Sequence, residues 1–122
     1  MEYEIQVSFK ITDEDIDDIM CAALEGGITY WCWKAEVVGE YLGEYASDQI
    51  SRGGMLKLYD SEQDEKYWLN RDKFLKGVKL WIEGGYDEWG AVQNGKIDCS
   101  VIDAIAADQI VQLALFDDVI FG

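Results

Sequence analysis

The sequence predicts an α+β fold, a small antiparallel β-sheet with three main helices packed on one of its faces. Some segments have apolar residues at every second position and others at every third and fourth position, which are the periods of strands and helices. These segments follow one another as strand, helix, mixed segment, hairpin, helix, loop and helix. The chain has 122 residues, 49% of them hydrophobic, which suits one core. We therefore expect a single compact acidic domain over residues 1–122.

The first half of the chain predicts a strand, a helix and a mixed segment. Apolar and polar residues alternate over 3–11, as in a strand with one buried face. A helix is expected next, with Thr12 as its N-cap, acidic residues in its first turn and Gly26 in the left-handed position at its end. Residues 28–38 fit both periods, and we favour a short helical or turn segment around 29–32 before a strand near 34–38.

The second half predicts a hairpin and two helices. Residues 46–54 resemble a short helix ended by Gly53, and the runs 55–59 and 66–69 read as a β-hairpin. Asn70 is expected to cap the next helix, and the Asn94-Gly95 pair indicates a turn in the loop that follows it. Residues 101–115 predict a final helix capped by Asp98 or Ser100, and residues 119–121 could add an edge strand.

The final helix is apolar on most of its sides, and one apolar stripe is enough to dock it on the sheet. A second stripe would remain uncovered in a domain of this size, and exposed apolar patches favour association. We therefore expect a homodimer. The second stripe consists of Ala104, Ala107, Val111 and Leu115.

Net charge restricts the partners. The chain has 25 acidic and 10 basic residues, a net charge of −15, which repels nucleic acid and anionic membranes and attracts basic protein surfaces. We expect a partner protein with a basic surface, and no direct contact with nucleic acid or membrane. The alternative is that the acidity only confers solubility. The densest carboxylates lie on the first helix, where a rigid row could imitate a phosphate backbone: Asp13, Glu14, Asp15, Asp17, Asp18 and Glu25.

Several chemistries lack the residues they need. The chain has no His, and its three cysteines, Cys21, Cys32 and Cys99, show no CxxC spacing. We therefore expect no zinc site, no disulfide framework and no His-dependent nucleophile. Phosphate-binding glycine loops and EF-hand spacing are also missing from the sequence. The expectation is a protein without metal, cofactor or enzymatic activity. With no long apolar run and no leader-like start, it is expected in the cytoplasm.

Aromatic residues concentrate between Gly26 and Gly54, beside one of the two arginines. Rings with polar tips next to a guanidinium can hold a flat anionic ligand. The alternative function is therefore a module that sequesters a nucleotide-like signal. Its candidate residues are Trp31, Trp33, Tyr41, Tyr45 and Arg52, with Trp89 from a later loop. Trp31 and Tyr41 could equally be core rings.

Two blocks, ITDEDIDDIMCAALEGGITYWCWK and VVGEYLGEYASDQISRGG, resemble a family of short proteins encoded by phages and prophages, mainly of Firmicutes. The likeness is carried by Asp15 to Ile19, Ala23 to Trp31 and Gly39 to Ala46, and Trp33 is a departure from it. The family has no established activity, so no residue role is implied. The resemblance implies a phage setting, in which small accessory proteins often act in host takeover or counter-defence. We therefore expect an acidic inhibitor of anti-CRISPR or anti-restriction type, a nucleic-acid mimic that binds a basic groove of a host nucleic-acid-processing complex.

Overall fold

The computed structural model describes residues 1–5, 8–87, 90–98 and 102–122. Within these ranges, three α-helices accompany a three-stranded antiparallel sheet and a two-stranded hairpin. The α+β class is therefore confirmed. The helices are α1 (Asp13–Ala22), α2 (Arg71–Glu83) and α3 (Ala104–Phe116). A π-helical turn, Ala23–Gly27, extends α1, and a 3₁₀ turn, Ala46–Asp48, follows later.

Each α-helix begins at a side-chain cap that accepts a hydrogen bond from an otherwise unpaired backbone N–H. Thr12 and Asp15 form a reciprocal capping box at α1. Asn70 Oδ1 accepts from Lys73 N at 2.9 Å at the start of α2. The predicted caps Thr12 and Asn70 are therefore confirmed.

The main sheet has the order β1-β2-β3, with antiparallel neighbours. Its strands are β1 (Cys32–Val38), β2 (Met55–Asp60) and β3 (Lys66–Leu69), which confirms the predicted strand after the turn and the predicted hairpin. The two short strands are β4 (Val92–Gln93) and β5 (Lys96–Ile97), joined by the Asn94-Gly95 turn with φ values of 53° and 72°. Positive φ at both positions suits the favoured hairpin turn.

One face of the main sheet is buried and the other is open. Leu56 and Leu58 of β2 are fully buried in the core cluster, together with residues of all three α-helices. Lys57 and Tyr59, which alternate with them, point to the opposite side and are partly exposed. The helices therefore cover a single face of the sheet, and the other face meets solvent.

The predicted strand over residues 3–11 was wrong. Among its described residues, only Lys10 pairs, in an isolated bridge to Lys96, and Tyr3 and Ile5 are 80% and 84% exposed. Residues 6 and 7 lie outside the described ranges. Alternation supplies an apolar face but no partner, and β4 and β5 are only two residues long. The segment lies beside this short hairpin and not beside the main sheet, so its described residues make only that one bridge.

Three predictions about helix ends and the tail were also wrong. Gly26 does not end α1 in a left-handed conformation, because the chain continues through the π-helical turn. Asp103 caps α3 instead of Asp98, because Asp103 Oδ1 accepts from Ala106 N at 2.8 Å; Ser100 lies outside the described residues. Residues 119–121 form no strand, since Val119 N donates to Asp118 Oδ1 and the backbone N–H groups of Ile120 and Phe121 donate to Gln112 Oε1.

The second apolar stripe of α3 was expected to be uncovered, and this was wrong for most of its residues; the homodimer itself stays a prediction. Ala107 and Val111 of the second stripe are fully buried within the single chain, Leu115 is half-buried and Ala104 alone is exposed. Gly77 of α2 lets that helix approach the α3 backbone closely, since a Cβ there would stand 2.5 Å from Ile110 O. The apolar stripe that was expected to need a second copy is thus covered by α2 and the π-helical turn.

Candidate functional site

The six candidate carboxylates of the first helix divide into two groups. Asp15 belongs to the capping box, and Asp17 Oδ1 accepts a hydrogen bond from Ser51 Oγ at 2.5 Å, so these two serve the fold. The other four side chains are exposed: Asp13, Glu14, Asp18 and Glu25. None of the ion pairs in the described part of the chain uses any of these four. They form what we call the acidic ridge.

The electrostatic effect of the acidic ridge is visible at Cys21. The pKa of this thiol is raised, first by a hydrogen bond with Glu25, then by burial, and then by the negative charges of Glu25, Asp18 and Asp48. Carboxylates from α1, the π-helical turn and the 3₁₀ turn therefore act on one point. The thiol stays protonated, and the local potential is negative.

The predicted aromatic cluster does not form one site. Trp31 is fully buried, with its ring stacked 4.9 Å from that of Phe121, so its proposed surface role is excluded. Tyr41 and Tyr45 are each 61% exposed, and Arg52 packs close to their loop beside Gly43. Trp33 lies near the opposite end of β1, about 17 Å from that loop at the usual rise of a strand. Trp89 lies outside the described residues.

Trp31 and Tyr30 instead hold a buried carboxylate. Asp108 Oδ1 accepts from Trp31 Nε1 at 2.8 Å and from Gln112 Nε2 at 2.9 Å, and Asp108 Oδ2 accepts from Tyr30 Oη at 2.6 Å. Burial, followed by the hydrogen bond to Asp108, raises the pKa of Tyr30 to about 12. This cluster joins the turn before β1 to α3, which is a structural role.

The open face of the sheet brings together residues that the sequence interpretation did not group. We define the open face by Trp33, Lys34, Lys57, Tyr59, Lys66 and Trp68. The register aligns Tyr59 with Lys34 on one side and with Lys66 on the other. The ammonium groups of Lys34, Lys57 and Lys66 lie 5.2, 5.3 and 5.7 Å from the centre of the Tyr59 ring.

A β-bulge places Trp33 on the open face. Cys32 pairs with Asp60 and Lys34 pairs with the adjacent Tyr59, so Trp33 is one residue in excess on β1. Its ring lies 5.3 Å from the Tyr59 ring. Strand alternation in MLKLY and KYWL could have placed Lys57, Tyr59, Lys66 and Trp68 on common faces, but no local signal reveals the bulge or the register.

One carboxylate lies among these lysines. Glu36 contacts Lys34 Nζ at 3.1 Å and accepts a hydrogen bond from Tyr59 Oη at 3.1 Å. Hydrogen bonds from Lys34 and then from Tyr59 lower the pKa of Glu36, so the carboxylate remains ionised. Glu36 thus offsets one of the three lysine charges.

An apolar cavity of about 450 Å³ lies elsewhere, between the N-terminal segment and α2. Phe9 and Ile11 line one side, and Leu75, Val78 and Ile82 line the other. Its charged lining residues, Lys79 and Glu83, lie 3.9 Å apart as an ion pair. The cavity therefore lacks the convergent polar groups that orient a ligand.

Comparison of the chain with protein-family models, with curated proteins and with solved structures found no match. None of the helices in the described ranges is long and apolar enough to span a membrane. The two surfaces of the described residues that could meet a partner are the acidic ridge and the open face.

Proposed function

We propose that this chain is a non-enzymatic binding protein that presents the acidic ridge to a basic groove on a host nucleic-acid-processing protein. It acts in the cytoplasm of a bacterial host and keeps nucleic acid out of that groove, as a counter-defence factor of anti-CRISPR or anti-restriction type. The observation that carries the proposal is that the four ridge carboxylates are exposed and engage in none of the described ion pairs.

The geometry of α1 supports this proposal. Glu14 and Asp18 are one helical turn apart, so their positions lie about 6 Å apart along the axis. That distance is close to two phosphate steps of one DNA strand, about 3.4 Å each. The capping box and the packing of Ile16, Ile19 and Met20 hold α1 rigidly in place. A rigid array loses little conformational entropy when it binds.

The phage setting comes from the resemblance of the two sequence blocks, and it makes defence proteins the first targets to test. Purified CRISPR effectors and restriction endonucleases would each be mixed with labelled target DNA, and displacement of the DNA by the protein would be measured. We expect displacement by at least one of them, weakening steeply as salt is raised, because the attraction is between charged surfaces.

The decisive variant is Asp13→Asn/Glu14→Gln/Asp18→Asn/Glu25→Gln. Exposed charge pairs contribute about 0.2–1 kcal/mol each, so four should weaken displacement by about 1–4 kcal/mol, roughly 5- to 900-fold. The matched control, Glu2→Gln/Glu4→Gln/Asp72→Asn/Asp118→Asn, removes the same charge from exposed positions elsewhere. Thermal denaturation verifies that both variants fold.

Two results would contradict the proposal. One is that no effector or endonuclease releases DNA at low salt. The other is that the control variant loses as much displacement as the ridge variant, because net charge alone, and not the ridge, would then account for the effect.

A further inference from the structure

The open face has positive charge that the fold does not neutralise. Lys34, Lys57 and Lys66 surround one ring, and among these lysines only Lys34 has an ion pair within the described residues, to Glu36. The three lysines and Glu36 together have a net charge of +2, in a chain with a net charge of −15. An anion placed between these lysines would be attracted to each of them and would reduce their mutual repulsion.

Two indole rings on the same face are available for contact. Trp33 is 63% exposed and Trp68 is 44% exposed, and neither belongs to the core. Lys57 Nζ lies 5.4 Å from the centre of the Trp68 ring. The Trp33 ring contacts the Tyr59 ring, which the lysines surround. Exposed aromatic rings beside cations are the elements with which proteins bind bases and phosphates together.

The face is the outer surface of three paired strands, and this favours an extended chain over a small ligand. A small molecule needs a concave site, and the apolar cavity lies at α2, away from these residues. Three strands spaced about 4.8 Å apart give a surface roughly 10 Å wide. Exposed aromatic rings on the four-stranded sheets of RNA-recognition modules stack two or three bases of a single strand.

We propose that the open face binds single-stranded nucleic acid, with bases stacked on Trp33 and Trp68 and phosphates paired with Lys34, Lys57 and Lys66. The expectation of no contact with nucleic acid came from the net charge of the whole chain. That charge is unevenly distributed along the chain, so the net value does not describe the open face. Residues 1–48 contain twelve of the 25 acidic residues and two of the ten basic ones, a net charge of −10. The acidic helix α1 packs into the core on the covered side of the sheet.

Acidic residues of the β2–β3 turn set one boundary of this surface. Glu62, Asp64 and Glu65 are exposed at the end of the hairpin, next to Lys66. At physiological salt, charges more than about 8 Å away are largely screened. The bound strand should therefore cross the middle of the sheet and avoid the turn.

The test uses fluorescein-labelled oligo(U) and oligo(dT) of about 12 nucleotides, with fluorescence anisotropy as the readout. We expect saturable binding of either strand, with log K falling by about 2 per log unit of salt, since three phosphate contacts each contribute a slope of about −0.7. Trp33→Ala and Trp68→Ala should each weaken binding roughly 5- to 150-fold, the effect of losing one stacked base.

Two matched controls separate the open face from the rest of the surface. Tyr41→Ala/Tyr45→Ala removes two rings, each 61% exposed, from another loop, and should leave binding unchanged. Lys34→Gln/Lys57→Gln/Lys66→Gln should abolish the salt dependence, whereas Lys76→Gln/Lys79→Gln/Lys96→Gln, with the same change in charge, should not. Circular dichroism confirms that each variant is folded.

Several outcomes would overturn the inference. They are absence of saturable binding up to about 100 μM, the weak end of non-specific affinity; equal binding of a duplex, whose bases are not exposed; and full binding by the two tryptophan variants. Displacement by poly-glutamate at equal charge concentration would also overturn it, in favour of an acidic protein partner. The acidic-ridge variant should bind oligonucleotide normally, so failure here is distinguishable from failure of the proposed function.

Discussion

Alanine substitutions at the adjacent glycines of the π-helical turn, Gly26 and Gly27, should have opposite effects on stability. A Cβ at Gly27 would stand 2.6 Å from Ala104 O and 3.2 Å from Ala22 O, and both contacts are backbone atoms. A Cβ at Gly26 would meet nothing within 4 Å. Neither glycine has a positive φ, so conformational strain does not enter the comparison.

The magnitude follows from two effects of opposite sign. Replacing either glycine reduces the conformational freedom of the unfolded chain, which stabilises the fold by about 0.4–1 kcal/mol. At Gly27 the new methyl group must also push the turn away from the start of α3, and such overpacking costs about 1–3 kcal/mol. Because the entropy effect is common to both variants, Gly27→Ala should be about 1–3 kcal/mol less stable than Gly26→Ala.

Urea unfolding followed by tryptophan fluorescence and by far-UV circular dichroism measures this difference directly. In thermal unfolding of a chain of this size, a difference of 1 kcal/mol would shift Tm by roughly 3–5 °C. Equal stabilities of the two variants, or a less stable Gly26→Ala, would refute the packing of the π-helical turn against α3.

Three further predictions concern other contacts. Gly77→Ala should lower the free energy of unfolding by about 1–3 kcal/mol despite better helix propensity, because its Cβ would stand 2.5 Å from Ile110 O; unchanged urea unfolding would contradict the close approach of α2 and α3. Asp108→Ala should cost about 1–3 kcal/mol, because Trp31 Nε1 loses its buried acceptor; a loss as small as that of exposed Asp118→Ala would count against it. Burial, as the first cause, raises the pKa of both Tyr30 and Tyr67 to about 12. Their phenolate absorbance should develop near that pH and be absent from the matching Phe variants. Since the folded pKa exceeds the unfolded value, the stabilisation is complete below about pH 10 and is lost as pH rises towards 12.

Local signals predicted the elements whose causes are local. The capping residues Thr12 and Asn70, the β2–β3 hairpin and the Asn94-Gly95 turn each depend on side chains within a few positions of one another. The helix α3 was also placed correctly within a few residues, although Asp103 caps it. Periodicity and capping chemistry carry this information in the sequence itself.

Features that depend on distant partners could not be predicted in this way. Residues 3–11 have the best strand pattern, but a pattern does not state whether a free sheet edge exists. Trp31 was a candidate surface ring, but it is buried and donates its N–H to Asp108, which lies 77 positions away in the sequence. Predicting the open face would have required the register of three strands. Periodicity also does not reveal a β-bulge, in which one strand has a single extra residue.

The β-bulge at Trp33 has an evolutionary consequence. Deleting this one codon would leave Cys32 opposite Asp60 and Lys34 opposite Tyr59, an uninterrupted ladder with the inward residues Ala35 and Val37 in their present positions. The indole can thus be gained or lost by a single insertion or deletion, without any change to the buried side of β1. Tyr59 and Trp68 lie at regular ladder positions, where removing a codon would turn every later side chain of the strand to the opposite face. A single-codon insertion or deletion can therefore change the ring at position 33 at far less structural cost than the rings of Tyr59 and Trp68.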